Sequence, residues 1–185
     1  MSESTPRMSS PRVAAAESGG AREFSGWIWL PVTVAMIVLD QLSKLWILHH
    51  FAPYERMRLL PVLDITLWFN EGAAFSFLGD ASGWQRWLFV GLALAVAAGI
   101  LIWMKRLKGR SQGLLSFALA LILAGALGNV IDRLRIGHVV DFILAHWNNS
   151  YFPAFNVADS AITVGAVFLL FDAWRESRGA KRASA

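Results

Sequence analysis

Four long apolar segments constrain the fold of this chain more than any other feature of its sequence. They lie at about 27–48, 87–104, 113–131 and 157–174, and each is close to the roughly 20 residues that a helix needs to cross a bilayer. Because 56% of the 185 residues are hydrophobic and only 16% are charged, the composition is typical of a membrane protein. We therefore predict an all-α polytopic membrane protein with four transmembrane helices within residues 26–175.

The basic residues predict how these segments are oriented. Eleven of them lie in the N-terminal tail, the short 105–110 connection and the C-terminal tail: Arg7, Arg12, Arg22, Lys105, Arg106, Lys108, Arg110, Arg175, Arg178, Lys181 and Arg182. Five lie on the other side: Arg56, Arg58, Arg86, Arg133 and Arg135. Since Lys and Arg collect in cytoplasmic loops, we expect both termini to be cytoplasmic and the long connections, 49–85 and 132–156, to lie at the outer surface.

The tails and the outer connections differ in composition from the spans. Residues 1–25 are rich in Ser, Pro, Ala and Gly and predict a disordered cytoplasmic tail, and residues 176–185 predict a second, basic one. In the outer connections, "LLPVLDITLWF" and "GHVVDFIL" are rich in β-branched and aromatic residues. We therefore expect a small β-rich element at the outer surface, and function on that side.

Ionisable residues near the outer end of the first span require an explanation, because charges are costly in a bilayer unless they are paired or used. Asp40 and Lys44 stand four residues apart on one helical face. We predict an ion pair near the interface, with the Lys44 side chain extending outward to water. Ser43 is adjacent to Lys44 and points to a different face, so a Ser–Lys catalytic pair is not expected.

A second polar face is predicted at the end of the third span. There, Asn129 lies three residues before Asp132 and four before Arg133. We assign Asp132 and Arg133 first to a structural clamp and only second to catalysis. Gly125 and Gly128, in the same segment, predict the close approach of another helix.

Two further aspartates point to a reaction. Asp141 is surrounded by apolar residues, so desolvation is expected to raise its pKa toward neutrality. Asp159 follows Asn156 by three residues at the start of the fourth span, a spacing that by itself favours a helix-capping box. If both carboxylates meet across a cleft, they share a proton, and one activates water while the other acts as general acid. Such an aspartic-protease arrangement requires no metal and no cofactor.

Other functions have weaker support in the sequence. The chain has no cysteine, its four histidines lack a recognisable metal-ligand spacing, and we find no phosphate loop and no nucleic-acid motif. A small proton-coupled membrane transporter is the main alternative, but it predicts acidic groups at mid-depth and on both sides. A non-enzymatic membrane scaffold, in which polar residues only join helices, is a third interpretation.

Four motifs, "LDQLSK", "FNEGAAFS", "GALGNVIDRLRIGHVVDF" and "FNVADS", closely resemble in this order those of lipoprotein signal peptidase (signal peptidase II). The resemblance covers roughly residues 27–174. It implies that Asp141 and Asp159 are the catalytic pair and that Asp40 and Lys44 give structural support. It also implies that seven residues position the substrate or brace the site: Asn70, Gly72, Asn129, Asp132, Arg133, Asn156 and Ala158.

The resemblance further implies a substrate and a location. The substrate would be a bacterial prolipoprotein whose cysteine carries diacylglycerol, cleaved at the peptide bond before that cysteine. We expect a monomer in contact with membrane lipid, with no nucleic-acid partner. It would lie in the bacterial cytoplasmic (inner) membrane, with the active site on the periplasmic side.

Overall fold

The computed structural model describes residues 24–72, 83–109 and 111–183. Four helices dominate it: α1 (Leu30–His50), preceded by a short 3₁₀ turn at Gly26–Trp29, α2 (Trp84–Arg106), α3 (Gly113–Ile136) and α4 (Val157–Ala183). Four strands complete it: β1 (Arg56–Leu60), β2 (Leu63–Asn70), β3 (Val139–Trp147) and β4 (Ser150–Tyr151). The predicted disordered N-terminal tail lies almost wholly outside the described residues.

All four helices are long and apolar enough to cross a membrane, which confirms the predicted fold class. Helix α3 is the central one, because 61% of its apolar stretch is buried, against 17% to 22% in the other three helices. The outer faces of α1, α2 and α4 expose many large apolar side chains, as expected of surfaces that contact lipid.

Small residues allow α3 and α4 to approach each other closely. A Cβ added at Gly128 would lie 3.2 Å from the Cβ of Ala158, and one added at Gly165 would lie 2.7 Å from the carbonyl oxygen of Ala118. At Gly125, an added Cβ would collide with the carbonyl oxygen of Ala158. The predicted close approach at Gly125 and Gly128 is therefore confirmed, and it brings the start of α4 against the middle of α3.

Backbone hydrogen bonds show which helix ends lie together. Gly26 N donates to Leu107 O over 3.0 Å, and Gly109 N donates to Phe24 O over 2.7 Å. The start of α1 is thus held against the α2–α3 turn at one end of the molecule. The sheet lies at the opposite end, where the functional side chains are expected.

The strands form one antiparallel sheet in the order β1-β2-β3-β4, which confirms the predicted β-rich element. An irregularity between Ile65 and Trp68 shifts the β2–β3 register, so that Trp68 lies opposite Asp141. On the other side of β3, Phe142 N and Ile143 N both donate to Phe155 O, over 3.0 and 2.8 Å. The segment that leads into α4 therefore runs beside β3, close to Asp141.

Helices α3 and α4 extend furthest beyond the ends that hydropathy predicts. Helix α3 continues past residue 131 to Ile136, so Asp132 and Arg133 are helical rather than part of the outer connection. It ends at Gly137, whose φ of 92° lies in the left-handed region that glycine adopts without strain. Helix α4 continues to Ala183, so the basic C-terminal segment is helical at least that far. These helices are longer than their apolar spans because hydropathy marks only where lipid contact ends. Basic residues beyond that point are favourable in the last turns of a helix.

Candidate active site

Asp141 lies near the start of strand β3 and is only 1% exposed. Its two carboxylate oxygens accept hydrogen bonds from different amides, Asn156 Nδ2 at 2.7 Å and Asn70 Nδ2 at 3.0 Å. Burial and, to a smaller extent, the nearby charge of Asp159 together raise the pKa of Asp141 to about 7. The expected shift of the Asp141 pKa toward neutrality is therefore confirmed, and this carboxyl is close to half-protonated at neutral pH.

Asp159 lies in the first turn of α4 and takes part in a reciprocal capping box. Asp159 N donates to Asn156 Oδ1 over 2.9 Å, and Asn156 N donates to Asp159 Oδ2 over 3.2 Å. Both bonds are those predicted from the spacing of the two residues. The backbone at the helix start therefore holds the Asp159 carboxylate in a defined orientation.

Two asparagine side chains connect the carboxylates. Asn129 Nδ2 donates to Asp159 Oδ1 over 2.8 Å, while Asn129 Oδ1 accepts from Asn156 Nδ2 over 3.2 Å. Since Asn156 also donates to Asp141, one chain of hydrogen bonds runs from Asp141 through Asn156 and Asn129 to Asp159. Elements far apart in sequence thus orient both acids.

Behind these groups lies a buried ionic cluster centred on Lys44, which is 2% exposed. Its Nζ lies 2.9 Å from Asp40 Oδ2, 2.8 Å from Asp132 Oδ2 and 3.1 Å from Asn129 Oδ1. The predicted Asp40–Lys44 ion pair is confirmed. The expected outward extension of Lys44 is wrong, because two carboxylates and an amide inside the protein satisfy its ammonium group better than a route past lipid.

The cluster also contacts the backbone of both elements that carry the cavity aspartates. Ala158 N, in the first turn of α4, donates to Asp40 Oδ1 over 2.9 Å, and Val140 N, on β3, donates to Asp132 Oδ2 over 3.3 Å. The structural roles expected of Asp40 and Lys44 agree with this geometry and stay predictions. Ala158 is 1% exposed and contributes its backbone N–H, and its small side chain fits beside Gly128.

Asp132 and Arg133 face different parts of the protein. Asp132 contacts Lys44, whereas Arg133 NH2 donates to Gly72 O over 2.9 Å, and the Arg133 guanidinium carbon lies 5.2 Å from the centre of the Phe89 ring. Within the described part of the chain these two neighbours make no ion pair with each other. Each is a brace, but to a different partner, because consecutive residues of a helix point about 100° apart.

A cavity of about 950 Å³ opens between α4 and the sheet, and both aspartates line it. Six of the residues predicted for the site line this cavity: Asn70, Gly72, Asn129, Arg133, Asp141 and Asp159. The remaining predicted residues lie behind this wall. Much of the rest of the lining is apolar or aromatic, and two apolar residues on α4, Ile162 and Val164, continue it along the helix. Two carboxyl groups at the edge of an apolar cavity can activate water next to a bound peptide.

The sequence model described as signal peptidase (SPase) II matches residues 32–175 of this chain. The chain belongs to the signal peptidase II family. Lipoprotein signal peptidase of Pseudomonas fluorescens strain Pf-5 is 54% identical over 155 residues, covering 83% of this chain and 89% of that protein. Lipoprotein signal peptidase of Pseudomonas aeruginosa strain PAO1 is 53% identical over 159 residues, covering 85% and 92%.

Two solved structures described as a bacterial membrane enzyme have the same fold. One superposes with a TM-score of 0.73 at 28% identity, covering 81% of this chain and 89% of the other. The second gives a TM-score of 0.69 at 28% identity, covering 78% and 91%. As a member of the signal peptidase II family, the protein is a multi-pass membrane peptidase. This decides against the non-enzymatic scaffold and against a transporter as its principal activity.

Several residues of the site region are not identified by sequence reasoning. Gln41 donates to Asp132 Oδ1 over 2.9 Å and so belongs to the ionic cluster. Arg56, Trp68 and Tyr151 line the cavity on the sheet side. Gln41 could have been identified because it lies within the "LDQLSK" motif. The three cavity residues belong to none of the four motifs and come together only when the sheet forms.

Proposed function

We propose that this peptidase removes the signal peptide from prolipoproteins whose cysteine already carries diacylglycerol. It hydrolyses the peptide bond before that cysteine, with Asp141 and Asp159 as the catalytic acids. One observation carries the proposal: two carboxylates from different elements line one cavity at the sheet end of the helices and are joined by hydrogen bonds through Asn156 and Asn129. The names of the Pseudomonas relatives support the substrate class.

In the proposed mechanism, Asp159 is the general base. In the first turn of α4, the helix dipole and the Asn156 N–H lie beside its carboxylate and stabilise negative charge there. Asp159 takes a proton from water as the water oxygen attacks the scissile carbonyl carbon. Asn129 and the Asn156 backbone hold the Asp159 carboxylate in a fixed orientation toward that water.

Asp141 is the proposed general acid. Since its pKa is raised to about 7, it can carry a proton at neutral pH and donate a hydrogen bond to the carbonyl oxygen of the substrate. When the tetrahedral intermediate collapses, the C–N bond breaks and the leaving amine receives a proton from the carboxyl pair. One further proton transfer between the acids and solvent restores the starting state.

Apolar parts of the substrate supply the binding energy. The cavity wall continues along α4 through Ile162 and Val164, into the apolar part of that helix. A diacylglyceryl group and a signal helix, both apolar, can remain in this lipid-facing part while the bond before the cysteine lies at the acids. Binding of these remote parts would position the bond and lower the barrier.

The proposed location is the bacterial inner membrane, with both termini cytoplasmic. The start of α1 and the α2–α3 turn lie together at one end, and Lys105, Arg106 and Lys108 lie at that turn. The positive-inside rule then assigns the carboxylates to the periplasmic side, where lipoproteins emerge. We propose that the enzyme acts there as a monomer surrounded by lipid.

Replacement of either acid by its amide tests the mechanism. In membranes supplied with a lipid-modified prolipoprotein, Asp141→Asn and Asp159→Asn should each lower the cleavage rate by about a thousandfold or more, since neither acid can replace the other. Asp172→Asn is the matched control, because Asp172 is also buried on α4 but pairs with Arg175 outside the cavity. Near-normal cleavage by a folded Asp141→Asn or Asp159→Asn variant would contradict the proposal.

A further inference from the structure

The cavity extends past the two acids across the sheet. Its wall on this side includes Arg56 of β1, Trp68 of β2 and Tyr151 of β4. The sheet is curled, because the Arg56 guanidinium carbon lies only 4.9 Å from the centre of the Tyr151 ring although β1 and β4 are its opposite edge strands. The contact between Arg56 and Tyr151 closes the side of the cavity that lies furthest along the sheet from Asp141.

Arg56 brings a positive charge to this wall. Within the described residues, its recorded contact is with the Tyr151 ring, and no carboxylate pairs with it. By contrast, Arg58 on the same strand lies 3.8 Å from Asp64, and Arg133 across the cavity donates to Gly72 O. The Arg56 charge therefore remains available to an anionic group that enters the cavity.

The register of the sheet gives the separation between this charge and the reacting bond. Arg56 lies opposite Thr66 on β2, and Trp68 on β2 lies opposite Asp141 on β3. Two strand spacings of about 4.8 Å and two residues of about 3.4 Å place the Arg56 backbone roughly 12 Å from Asp141 along the sheet. An extended peptide covers that distance in about three or four residues, since each adds about 3.3–3.6 Å.

The chemistry of the proposed substrate decides which of its segments follows the sheet. The signal helix and the diacylglyceryl group are apolar and remain with the lipid-facing side of α4. The chain that follows the cleaved bond is the start of the mature, water-soluble part, and it must leave the membrane surface. The polar, aromatic wall over the sheet suits that segment, because aromatic faces and a cation bind an extended polar peptide.

From this geometry we propose that Arg56, seated on Tyr151, forms a subsite for an acidic side chain about three or four residues after the cleaved bond. The enzyme thereby favours lipoproteins with an aspartate or glutamate there over those with a lysine. This inference rests on the proposed function, since it concerns the substrate of the same cavity. Arg56 acts on specificity and takes no part in the chemical step.

A substrate series with altered charge tests the subsite. Lipid-modified prolipoproteins carrying Asp, Asn or Lys at the third, fourth or fifth position after the bond are cleaved by the wild-type enzyme in vesicles of neutral lipid. We expect kcat/KM to be about tenfold higher for Asp than for Lys at one of these positions, equivalent to about 1.4 kcal/mol. Arg56→Ala should remove the preference and Arg56→Glu should reverse it.

Arg58→Ala is the matched control, because Arg58 lies on the same strand but already pairs with Asp64. It should retain the wild-type preference. If Arg56 were only a structural contact of Tyr151, both Arg56 variants would slow all substrates alike, and this outcome would overturn the subsite. A wild-type enzyme that is indifferent to charge at all three positions would overturn it as well.

Two further comparisons distinguish the subsite from binding of a lipid headgroup and from failure of the proposed function. If Arg56 binds the phosphate of a lipid headgroup instead, the ratio of Arg56→Ala to wild-type activity will follow the anionic lipid content of the vesicles and not the peptide sequence, which overturns the subsite. Equal cleavage of every lipid-modified substrate rejects the subsite while leaving the proposed function intact. Failure of the wild-type enzyme to cleave any of them rejects the proposed function itself, and the subsite with it.

Discussion

Asn156 contacts both proposed catalytic acids, and this double contact explains how a helix cap and an active site come to coincide. Its side chain donates to Asp141 and accepts from the Asp159 backbone, while its own backbone N–H donates to the Asp159 carboxylate. The residue is completely buried, so these bonds are shielded from competing water. The capping box can be predicted from residue spacing alone. Its link to the second acid depends on Asp141, which lies 15 residues from Asn156 on another element.

The raised pKa of Asp141 predicts a pH dependence with a definite sign. Its folded-state pKa is about 7, above the ordinary 3.8, so the folded state binds this proton more tightly than the unfolded state does. The contribution of this proton to the free energy of unfolding is fully present below about pH 4 and is lost as pH rises through about 7. It amounts to about 4 kcal/mol at most. Thermal unfolding in detergent should thus show that Asp141→Asn is stabilised relative to wild type, and more at pH 8 than at pH 5.

The activity should change in the same pH range. Since the proposed acid must carry a proton, kcat/KM of the wild-type enzyme should fall as pH rises through about 7. Asp172→Asn serves again as the control, and its stability relative to wild type should not change between pH 5 and pH 8 in the way expected for Asp141→Asn. A wild-type kcat/KM that keeps rising to pH 9 would show that Asp141 is not the acid.

At the scale of elements, the position of α4 decides the geometry of the site. Its first turn lies against α3 at Gly128. In the same turn, Ala158 N donates a hydrogen bond to Asp40 Oδ1 of α1 over 2.9 Å. Lys44 then neutralises Asp40 and reaches Asn129, the partner of Asp159. Small residues and a buried ionic cluster therefore determine both the packing of α4 and the orientation of the Asp159 carboxylate.

Gly128→Ala tests this dependence. The added Cβ would lie 2.7 Å from Asp40 Oδ2 and 3.2 Å from the Cβ of Ala158, so the Asp40 carboxylate must shift and disturb the ionic cluster. We expect a loss of stability of about 1–3 kcal/mol, as for other overpacked cores, and at least a tenfold loss of prolipoprotein cleavage. The measurements are thermal unfolding in detergent and cleavage in membranes.

The control for this substitution is Gly91→Ala or Gly99→Ala on α2, where an added Cβ meets nothing within 4 Å. These variants should keep full activity, and their stability should be unchanged or slightly higher, because alanine favours a helix by up to about 1 kcal/mol over glycine. Gly128→Ala with wild-type activity would mean that the site tolerates a shift of the Asp40 carboxylate.

At the scale of the whole molecule, the two ends of the helix bundle differ in kind. One end holds the start of α1 and the short α2–α3 turn, together with the basic residues Lys105, Arg106 and Lys108. The other holds the sheet, the cavity and both proposed catalytic acids. This asymmetry is what an enzyme needs if it processes chains that emerge on one side of a membrane.

The absence of cysteine from the sequence permits a direct test of the proposed orientation. Asn149→Cys introduces an exposed thiol beside the sheet, and Ser111→Cys introduces one at the α2–α3 turn. A membrane-impermeant maleimide applied to cells with a permeabilised outer membrane should label only the first. After the inner membrane is disrupted, it should label both. Labelling of Ser111→Cys alone in intact inner membranes would reverse the orientation.

By itself, the sequence determined the properties that depend on local composition and spacing. Hydropathy located four spans, Asn156 and Asp159 specified a capping box, and the apolar neighbours of Asp141 indicated a raised pKa, because each effect acts within a few residues. The four ordered motifs indicated the family and, through it, the residues proposed for the site.

Only the tertiary structure decided how these groups meet. It turned Lys44 inward to join Asp40, Asp132 and Asn129, and it separated the partners of Asp132 and Arg133. It also curled the sheet so that Arg56 reaches Tyr151. These contacts join residues distant in sequence, and their energies depend on how completely packing excludes lipid and water, which no local pattern encodes.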